Sequence, residues 1–503
     1  MMTQILNVLR SPGCRPKLQF AAPSHMVHDA NAAADPTEKN NERCQISADT
    51  DGTYFTPVKP RRLDRWLDLI VSISGSEPVY VTILVALVVW AFLGIPFGTS
   101  TSYKIIISDA QAIVNLVFDA FLMRQQFNQH DNLLMVAGSL RSRISSHKRM
   151  LTSLVASGKL SRTCAAHFHT LSRGDGQDSL PRESRLTALS SMLSGVLGHM
   201  ATAVAFWACI LVWLGFGPYC GWSSTWQLYI NSATSALMVL LLGFLANVRE
   251  RHGRHAAACL RAIWEADAAL ERSLRALTAD ALENPAVALP ERNRSLIQRG
   301  IDYYADLVGT LAGVAILVVV VVAWIACGPA LGFDASWWLL MGTYAGLVGL
   351  NDGFVLRNVC QVLGNYEDEQ FEHVDRDDQD ALAIIGVESL AEERVTASSF
   401  SYRLSVRVGF FCSHERTVVL GLLFVIGLIV GASVMRWNET GQLLCNIPPS
   451  VVESFFTLIL ITGHNVGEKK RRVDLTNVHL RRLKLLAFVE GQIGGERGEG
   501  DEK

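Results

Sequence analysis

Residues Val308–Cys327 read VGTLAGVAILVVVVVAWIAC, and this stretch contains five consecutive valines and no charged side chain. A helix needs roughly 20 apolar residues to cross the hydrocarbon core of a bilayer, so this stretch is long enough to do so. It is followed by Gly328-Pro329, which is typical of a turn, and then by a second apolar stretch, Trp338–Leu356. Together they predict a helical hairpin that spans a membrane.

Three more pairs of apolar stretches have the same arrangement. They are Val79–Leu93 with Ile105–Met123, Ala201–Phe216 with Leu228–Ala246, and Val418–Val434 with Leu443–Ile461. The sequence therefore predicts an all-α, polytopic membrane protein with eight transmembrane helices, arranged as four repeated helical hairpins. The composition agrees, because 50% of the 503 residues are hydrophobic and only 18% are charged, below the quarter of charged residues that is usual in soluble chains. A net charge of −2 gives no basic excess for binding a nucleic acid.

Positively charged residues are concentrated between the hairpins. Arg124–Arg185 holds ten Lys and Arg residues, and Arg249–Arg299 and Lys469–Lys503 hold nine each, whereas no hairpin turn holds more than one. Because Lys and Arg next to a span stay on the cytoplasmic side, both termini of this multi-pass protein are predicted to be cytoplasmic. Residues 1–28 lack acidic side chains, so a mitochondrial transit peptide is the alternative to a cytoplasmic tail.

The hairpins align with one another without a gap when they are counted from four origins, Gly75, Gly198, Gly309 and Ser413. Fifteen residues after the first three origins stand Trp90, Trp213 and Trp324, and twenty-eight residues after them stand Tyr103, Trp226 and Trp337. Fourfold duplication of a two-helix unit explains these matches. The predicted organisation is a disordered N-terminal tail over 1–64, repeats over 65–150, 185–280, 299–380 and 401–485, and a disordered C-terminal tail over 486–503.

A short segment of mixed polar and apolar residues lies ahead of each origin. The four segments are Arg65–Ser74, Arg185–Ser194, Ile301–Val308 and Tyr402–Phe411. They are predicted to be amphipathic helices at the membrane interface, with re-entrant gates as the alternative. The acidic stretch Tyr366–Val395, which follows the third hairpin, is predicted to be a solvated loop.

The second hairpin contains Gly217-Pro218, a short turn, and then SSTWQLYINSAT from Ser223 to Thr234. This pattern resembles the low-affinity iron permease family. The resemblance covers roughly Arg65–Leu485, is strongest in the second hairpin and is weakest in the fourth, where Pro448-Pro449 interrupts the pattern. It implies an eight-helix transporter for low-affinity uptake of Fe²⁺ across the plasma membrane, with Zn²⁺, Cu²⁺ or Mn²⁺ as less strongly selected cargo and with no resident cofactor.

Nearly all polar residues within the predicted spans belong to the second helix of a hairpin. An ionised side chain at mid-membrane costs about 2.5–3.5 kcal/mol on insertion scales, so such residues are usually paired, hydrated or functional. Oxygen ligands with an occasional imidazole suit Fe²⁺, Mn²⁺ and Zn²⁺. The predicted metal-contacting residues along a polar pathway are Asp109, Asn115, Asp119, Asn231, Asn351, Asp352, Asn446, Glu453 and His464.

Other interpretations of these residues remain open at this stage. The amides and hydroxyls could instead bond neighbouring helices, and Asp109 could be hydrated near the outer mouth. Pro448-Pro449 is expected to break its helix, which would either free carbonyl oxygens for the pathway or only kink the packing.

Two rival functions use the same architecture. One is a membrane scaffold whose cytoplasmic loops bind partners, and the other is a membrane-embedded metalloenzyme. The sequence contains no Walker A, HExxH or GxSxG motif, which favours passive transport over enzymatic activity. The oligomeric state is left open.

Overall fold

The computed structural model describes residues 19–25, 62–98, 100–158, 180–181, 185–333, 335–386 and 400–500. A short helix, an apolar helix and a very long helix follow one another four times along the chain. The first two sets are α1 Arg62–Ser74, α2 Glu77–Phe97 and α3 Thr101–Ala156, then α4 Arg185–Leu197, α5 Met200–Gly215 and α6 Ser224–Thr278. The last two sets are α7 Leu296–Val308, α8 Leu311–Cys327 and α9 Ala335–Ile384, then α10 Phe400–Ser413, α11 Glu415–Val434, the short α12 Glu439–Leu444 and α13 Ile447–Gly500.

Six helical segments of the described chain are long and apolar enough to cross a membrane. The pairs α4–α5 and α7–α8, which bend by 52° and 65°, bring the number to eight if each pair forms one span. The all-α, polytopic class predicted from the sequence is therefore confirmed, while the count of eight and the internal repeat stay predictions.

The long helices form the inside of the bundle and the apolar helices form its outside. Helix α3 packs against α6 and α9, and α13 packs against the same two helices, so the four close into a ring. By contrast, α2 and α8 bury none of their residues within the protein. A helix that is apolar on every side and unburied by protein is suited to contact with lipid.

Aromatic residues join the two helices of three hairpins at the positions that align in the sequence. The Trp213 and Trp226 rings stack with centroids 3.8 Å apart, and the Trp324 and Trp337 rings stack at 4.4 Å. In the first hairpin the Tyr103 hydroxyl donates a hydrogen bond to the carbonyl oxygen of Trp90 at 2.8 Å. The aligned aromatic positions are thus explained as contacts that join the two helices of these three hairpins near the turn.

The long helices, of 50 to 56 residues each, continue well beyond their apolar parts. Their extensions enclose a charged network in which Arg143 of α3 bonds Asp267 of α6 at 3.1 Å, and Arg482 of α13 bonds Asp267 at 2.9 Å and Asp378 of α9 at 2.8 Å. The side chains of all four residues are fully buried. The prediction of a solvated loop from Tyr366 is wrong for residues 366–384, which continue helix α9 and in which acidic side chains such as that of Asp378 pair with basic residues of other helices.

Both predicted tails contain segments that pack on this extension. Strand β1, Gln19–Phe20, pairs antiparallel with β2, Val287–Ala288, and the Phe20 ring fills the space left by the missing side chain of Gly138. Near the other terminus, Phe488 and Val489 of α13 are buried. These parts differ from the expected disorder because their apolar side chains are removed from water. Residues 1–18, 26–61 and 501–503 lie outside the described residues.

Candidate functional site

The inside of the four-helix ring contains most of the polar residues that the sequence singled out. Two of the nine predicted residues, Asn351 and His464, are half-buried. The other seven are buried: Asp109, Asn115, Asp119, Asn231, Asp352, Asn446 and Glu453. Asp109 is only 3% exposed, so its carboxylate is enclosed by protein.

At the level nearest the hairpin turns, which we call the outer level, polar residues of neighbouring helices come together. The Asn231 amide of α6 donates to the Ser108 hydroxyl of α3 at 2.7 Å. A Cβ atom built on Gly342 of α9 would lie 2.6 Å from Asn446 Nδ2 and 3.1 Å from Asp109 Oδ1. Asp109 and Asn446 therefore both adjoin the surface of α9 at this glycine.

At the central level, three carboxyl groups from three helices are neighbours. Asp119 of α3 and Glu453 of α13 face each other at hydrogen-bonding distance, and Asp352 of α9 is close enough to interact electrostatically with both. An ionised carboxylate can only accept a hydrogen bond, so the contact between Asp119 and Glu453 needs a proton or a metal cation between the oxygens. Burial also makes three uncompensated negative charges costly, which favours binding of a cation at this level.

The hydroxyl of Tyr304, from α7, completes the central level by donating to Asp352 Oδ1 at 2.6 Å, and it also contacts Asn351. Tyr304 is not among the residues predicted from the sequence, because its amphipathic segment was predicted to lie at the membrane interface. A tyrosine within a mostly apolar segment was the sequence feature that could have indicated a polar contact here.

A series of buried oxygen atoms follows α3 between these two levels. None of these oxygen atoms accepts a hydrogen bond from a described residue. They are Asp109 Oδ2, Gln111 Oε1, Asn115 Oδ1 and Asp119 Oδ2. Asn231 Oδ1 and Glu453 Oε1 of the neighbouring helices are in the same condition. Ten residues of helix separate Asp109 from Asp119, or about 15 Å. Because a buried acceptor without a donor is unfavourable by roughly 1–3 kcal/mol, this series is chemically suited to cations and not to anions.

His464 lies apart from the central carboxyl groups, eleven residues or about 16 Å along α13 from Glu453. Its Nε2 is 2.9 Å from Nδ1 of His252 on α6, and His252 Nε2 is 2.9 Å from the Ser191 hydroxyl of α4. His252 was missed because the predicted span ended at Ala246 and the residues beyond it were assigned to a polar loop. The two imidazoles define a third level, at the end of the apolar region from which the long helices extend.

Other polar residues of the ring bond one helix to the next. The Thr234 and Ser450 hydroxyls are 2.9 Å apart, and the Thr343 hydroxyl donates to the Gln442 carbonyl oxygen at 3.3 Å. The predicted break at Pro448-Pro449 is present, since α12 ends at Leu444 and α13 begins at Ile447. The carbonyl oxygen of Cys445 at this break packs against Gly346 of α9.

The described part of the chain contains no group of three or more His, Cys, Asp or Glu side chains already arranged to hold a metal ion. The central carboxyl groups are neighbours without forming a closed cage. Cys445 is buried, and its thiol donates to the Leu428 carbonyl oxygen at 3.4 Å. The arrangement can therefore offer oxygen contacts in sequence, which suits an ion that binds weakly and leaves again.

Comparison with known proteins gives a match to one family. A family model described as low affinity iron permease matches residues 186–283 and 401–487. The prediction that the fourth hairpin carries the weakest resemblance is thus wrong, because this model matches the second and fourth hairpins. No solved structure matches the chain.

Two curated proteins are similar over nearly the whole chain. The low-affinity iron/zinc ion transport protein fet4 of Schizosaccharomyces pombe is 32% identical over 505 residues, covering 97% of this chain and 86% of that protein. The low-affinity Fe(2+) transport protein of Saccharomyces cerevisiae is 30% identical over 542 residues, covering 97% and 98%. Since similarity at this level extends through all four hairpins, the chain belongs to the low-affinity iron permease family.

Proposed function

We propose that this protein carries out low-affinity uptake of divalent metal cations, chiefly Fe²⁺, through a pathway inside the ring of α3, α6, α9 and α13. The observation that carries the proposal is the series of buried, donor-free oxygens that leads from Asp109 to the carboxyl groups of Asp119 and Glu453. The names of the two relatives support the cargo, since both are low-affinity transporters of iron and one also of zinc. Membership of a permease family also sets the enzyme and scaffold alternatives aside.

The three levels suggest an order of contacts for the ion. At the outer level Asp109 and Asn446 replace part of its hydration shell. The carboxyl groups of Asp119, Asp352 and Glu453 then bind it most strongly, and an entering ion takes the place of the proton between Asp119 and Glu453. His464 and His252 receive it at the cytoplasmic end. Several weak sites in sequence allow both entry and release.

The driving force in this proposal is the membrane potential and the concentration gradient. An inward potential contributes about 2.3 kcal/mol per charge per 100 mV, and twice that amount for a divalent ion. This transport needs no nucleotide, in agreement with the missing Walker A motif.

We further propose that the protein resides in the plasma membrane with both termini in the cytoplasm. The excess of Lys and Arg between the hairpins supports this orientation. An epitope placed at either terminus is expected to bind antibody only after the cells are permeabilised, while one placed in the turn at Asn438 is expected to bind on intact cells. Staining of a terminal epitope on intact cells would reverse the topology.

The central carboxyl groups provide the test of the pathway. We expect Asp119→Asn and Glu453→Gln each to lower the uptake of radiolabelled Fe²⁺ by about tenfold or more, since losing an interaction with a charged group costs about 1.5–3 kcal/mol and 1.4 kcal/mol is a factor of ten. Uptake is measured in a host that lacks its own iron transporters and is normalised to surface abundance.

Glu439→Gln is the matched control, because Glu439 is an exposed carboxylate at the start of α12, outside the proposed pathway. It is expected to transport as the unchanged protein does. Normal uptake by both central variants would remove the carboxyl groups from the pathway, and an unchanged protein that transports no better than an empty vector would refute the function itself.

A further inference from the structure

A cavity of about 780 Å³ lies at the cytoplasmic end of the apolar region, beside the site already described. Among the basic residues that line it are Arg249 of α6 and Arg357 of α9. Each directly follows the last apolar residues of its span, so both occupy the membrane-proximal part of the cavity. Its volume falls in the range of small-molecule sites, about 300–1,000 Å³.

Both arginines are buried, with 4% of each residue exposed. Two glycines make room for the guanidinium group of Arg357: a Cβ on Gly409 of α10 would lie 2.8 Å from Nη2, and one on Gly463 of α13 would lie 2.6 Å from Nη1. The side chain is thus fixed in place by close packing from two helices.

Neither guanidinium group bonds a carboxylate among the residues that the structure describes. Arg249 Nη2 donates to the Cys360 sulfur at 3.1 Å and Arg357 Nη2 donates to Gln361 Oε1 at 3.2 Å. The Nε atoms of both residues and Nη1 of Arg249 have no acceptor there. The two groups are also close enough for their positive charges to repel each other.

Most of the carboxylates that line the distal part of the cavity are already paired, and Asp474 lies within the electrostatic influence of Lys470 and Arg481. Asp368 bonds Lys470 at 2.7 Å and Glu468 bonds Arg472 at 2.9 Å, while Asp375 pairs with Arg481. Among the described residues, none of these carboxylates bonds Arg249 or Arg357. Buried charges in proteins are normally paired, which leaves a bound anion as the partner that the site is built to accept.

We propose that this cavity is an oxyanion-binding site in which Arg249 and Arg357 bind a phosphate group. Guanidinium groups offer planar pairs of N–H donors that match the oxygens of phosphate. The phosphate is either free in the cytosol or part of an anionic lipid headgroup. Val406 and Phe410 of α10 border the cavity and Phe410 is 63% exposed, so a lipid could reach it from the membrane side, as in other basic pockets between membrane helices.

The test measures binding, so its outcome is separate from that of the transport proposal. The full-length protein is purified into nanodiscs of phosphatidylcholine, and the binding of radiolabelled inorganic phosphate is measured at equilibrium. In a second arm, nanodiscs that contain phosphatidic acid are analysed for co-purifying lipid by native mass spectrometry. We expect saturable binding of one phosphate group per chain in at least one arm, and the arm that gives it identifies the source.

The variants Arg249→Gln and Arg357→Gln are expected to weaken this binding at least tenfold. Arg376→Gln is the matched control: Arg376 lines the same cavity, but its side chain is 66% exposed and pairs with Glu372, so binding should be unchanged. Removal of an unpaired buried charge should leave the Tm in phosphate-free buffer at or above that of the unchanged protein.

Three results would overturn the proposal. One is the lack of saturable binding in both arms, which would mean that water alone solvates the arginines. Another is binding that is equal in the unchanged protein and in both variants. The third is a lower Tm of the variants without phosphate, because it would show that the guanidinium groups already have a structural partner within the protein.

Discussion

Because the side chain of Gly349 is a single hydrogen atom, the carboxylate of Glu453 can lie directly against helix α9. A Cβ atom at Gly349 would lie 2.8 Å from each of the two carboxylate oxygens of Glu453, which is closer than such atoms approach in proteins. The obstructed group is the end of a flexible side chain, so the carboxylate can turn away without disturbing the backbone. A methyl group here would displace the proposed central ligand while the fold is maintained.

We therefore predict that Gly349→Ala lowers Fe²⁺ uptake severalfold while stability is unchanged or rises by up to about 1 kcal/mol, since alanine is favoured over glycine within a helix. Uptake per surface molecule and the Tm of the purified protein are measured together. Gly364→Ala is the control on the same helix, because no atom lies within 4 Å of a Cβ there. If the two variants transport equally well, the position of Glu453 does not matter to permeation.

The sequence was informative about the central residues but not about their contacts. Asp119 and Glu453 could be predicted because a carboxylate within an apolar stretch needs a physical reason. Their meeting depends on the register of α3, α9 and α13, which is set by close packing at glycines of α9, and no spacing within one helix reveals it. Tyr304 and His252 were missed because they lie outside the apolar stretches from which the pathway was read.

Among helices, hydropathy predicted where the apolar parts of the four long helices end, but not where the helices themselves end. Hydropathy falls at Arg124, Arg249 and Arg357, and the segments beyond were expected to be polar connections. The helices continue because their charged side chains pair across the bundle, as Asp267 does with Arg143 and Arg482. Ion pairs between distant segments produce no periodic pattern in the sequence. A charged segment that forms a buried ionic network therefore has the same sequence appearance as one that is solvated.

The buried network gives a prediction about stability. Asp267→Asn leaves the fully buried guanidinium groups of Arg143 and Arg482 without one of their carboxylates, so we expect a loss of about 3–5 kcal/mol, the usual effect of breaking a buried ion pair. Thermal unfolding of the purified protein in one detergent measures the difference through a lower Tm.

The comparison variant is Glu372→Gln on the extension of α9. Glu372 forms an ion pair with Arg376 in which both side chains are largely exposed, at 60% and 66%, and such pairs contribute about 0–1 kcal/mol. Its Tm should therefore stay close to that of the unchanged protein. Equal Tm values for the two variants would show that the extensions of the long helices contribute little to the stability of the bundle.

In the whole molecule, the outer helices form the apolar surface and the ring of long helices encloses the polar residues. Helices such as α2 and α8 present apolar side chains on all faces, while the ring encloses the oxygen atoms of the proposed pathway. Thiols contribute little to it: Cys445 donates to a backbone carbonyl oxygen, and Cys360 contacts Arg249 and Gln126 beside the anion cavity. The interior therefore offers oxygen and imidazole ligands to an ion, and the choice among metals follows from that chemistry.

Such a pathway cannot enforce a preference for Fe²⁺ over neighbouring transition metals. Nitrogen and oxygen sites generally bind Co²⁺, Cu²⁺ and Zn²⁺ at least as well as Fe²⁺, so we predict that an excess of each lowers Fe²⁺ uptake in a dose-dependent way. Mg²⁺ should compete poorly because it gives up its water reluctantly. Ca²⁺ should also compete poorly, because it requires about six to eight oxygen ligands and the three carboxyl groups here do not form a closed cage. Uptake of labelled Fe²⁺ is measured with each competitor at increasing concentration and at constant ionic strength. Strict selectivity against Zn²⁺ and Cu²⁺ would mean that something other than this oxygen lining discriminates between the ions. Equal competition by Mg²⁺ would mean that the ion passes with its hydration shell intact and never contacts Asp119 or Glu453 directly.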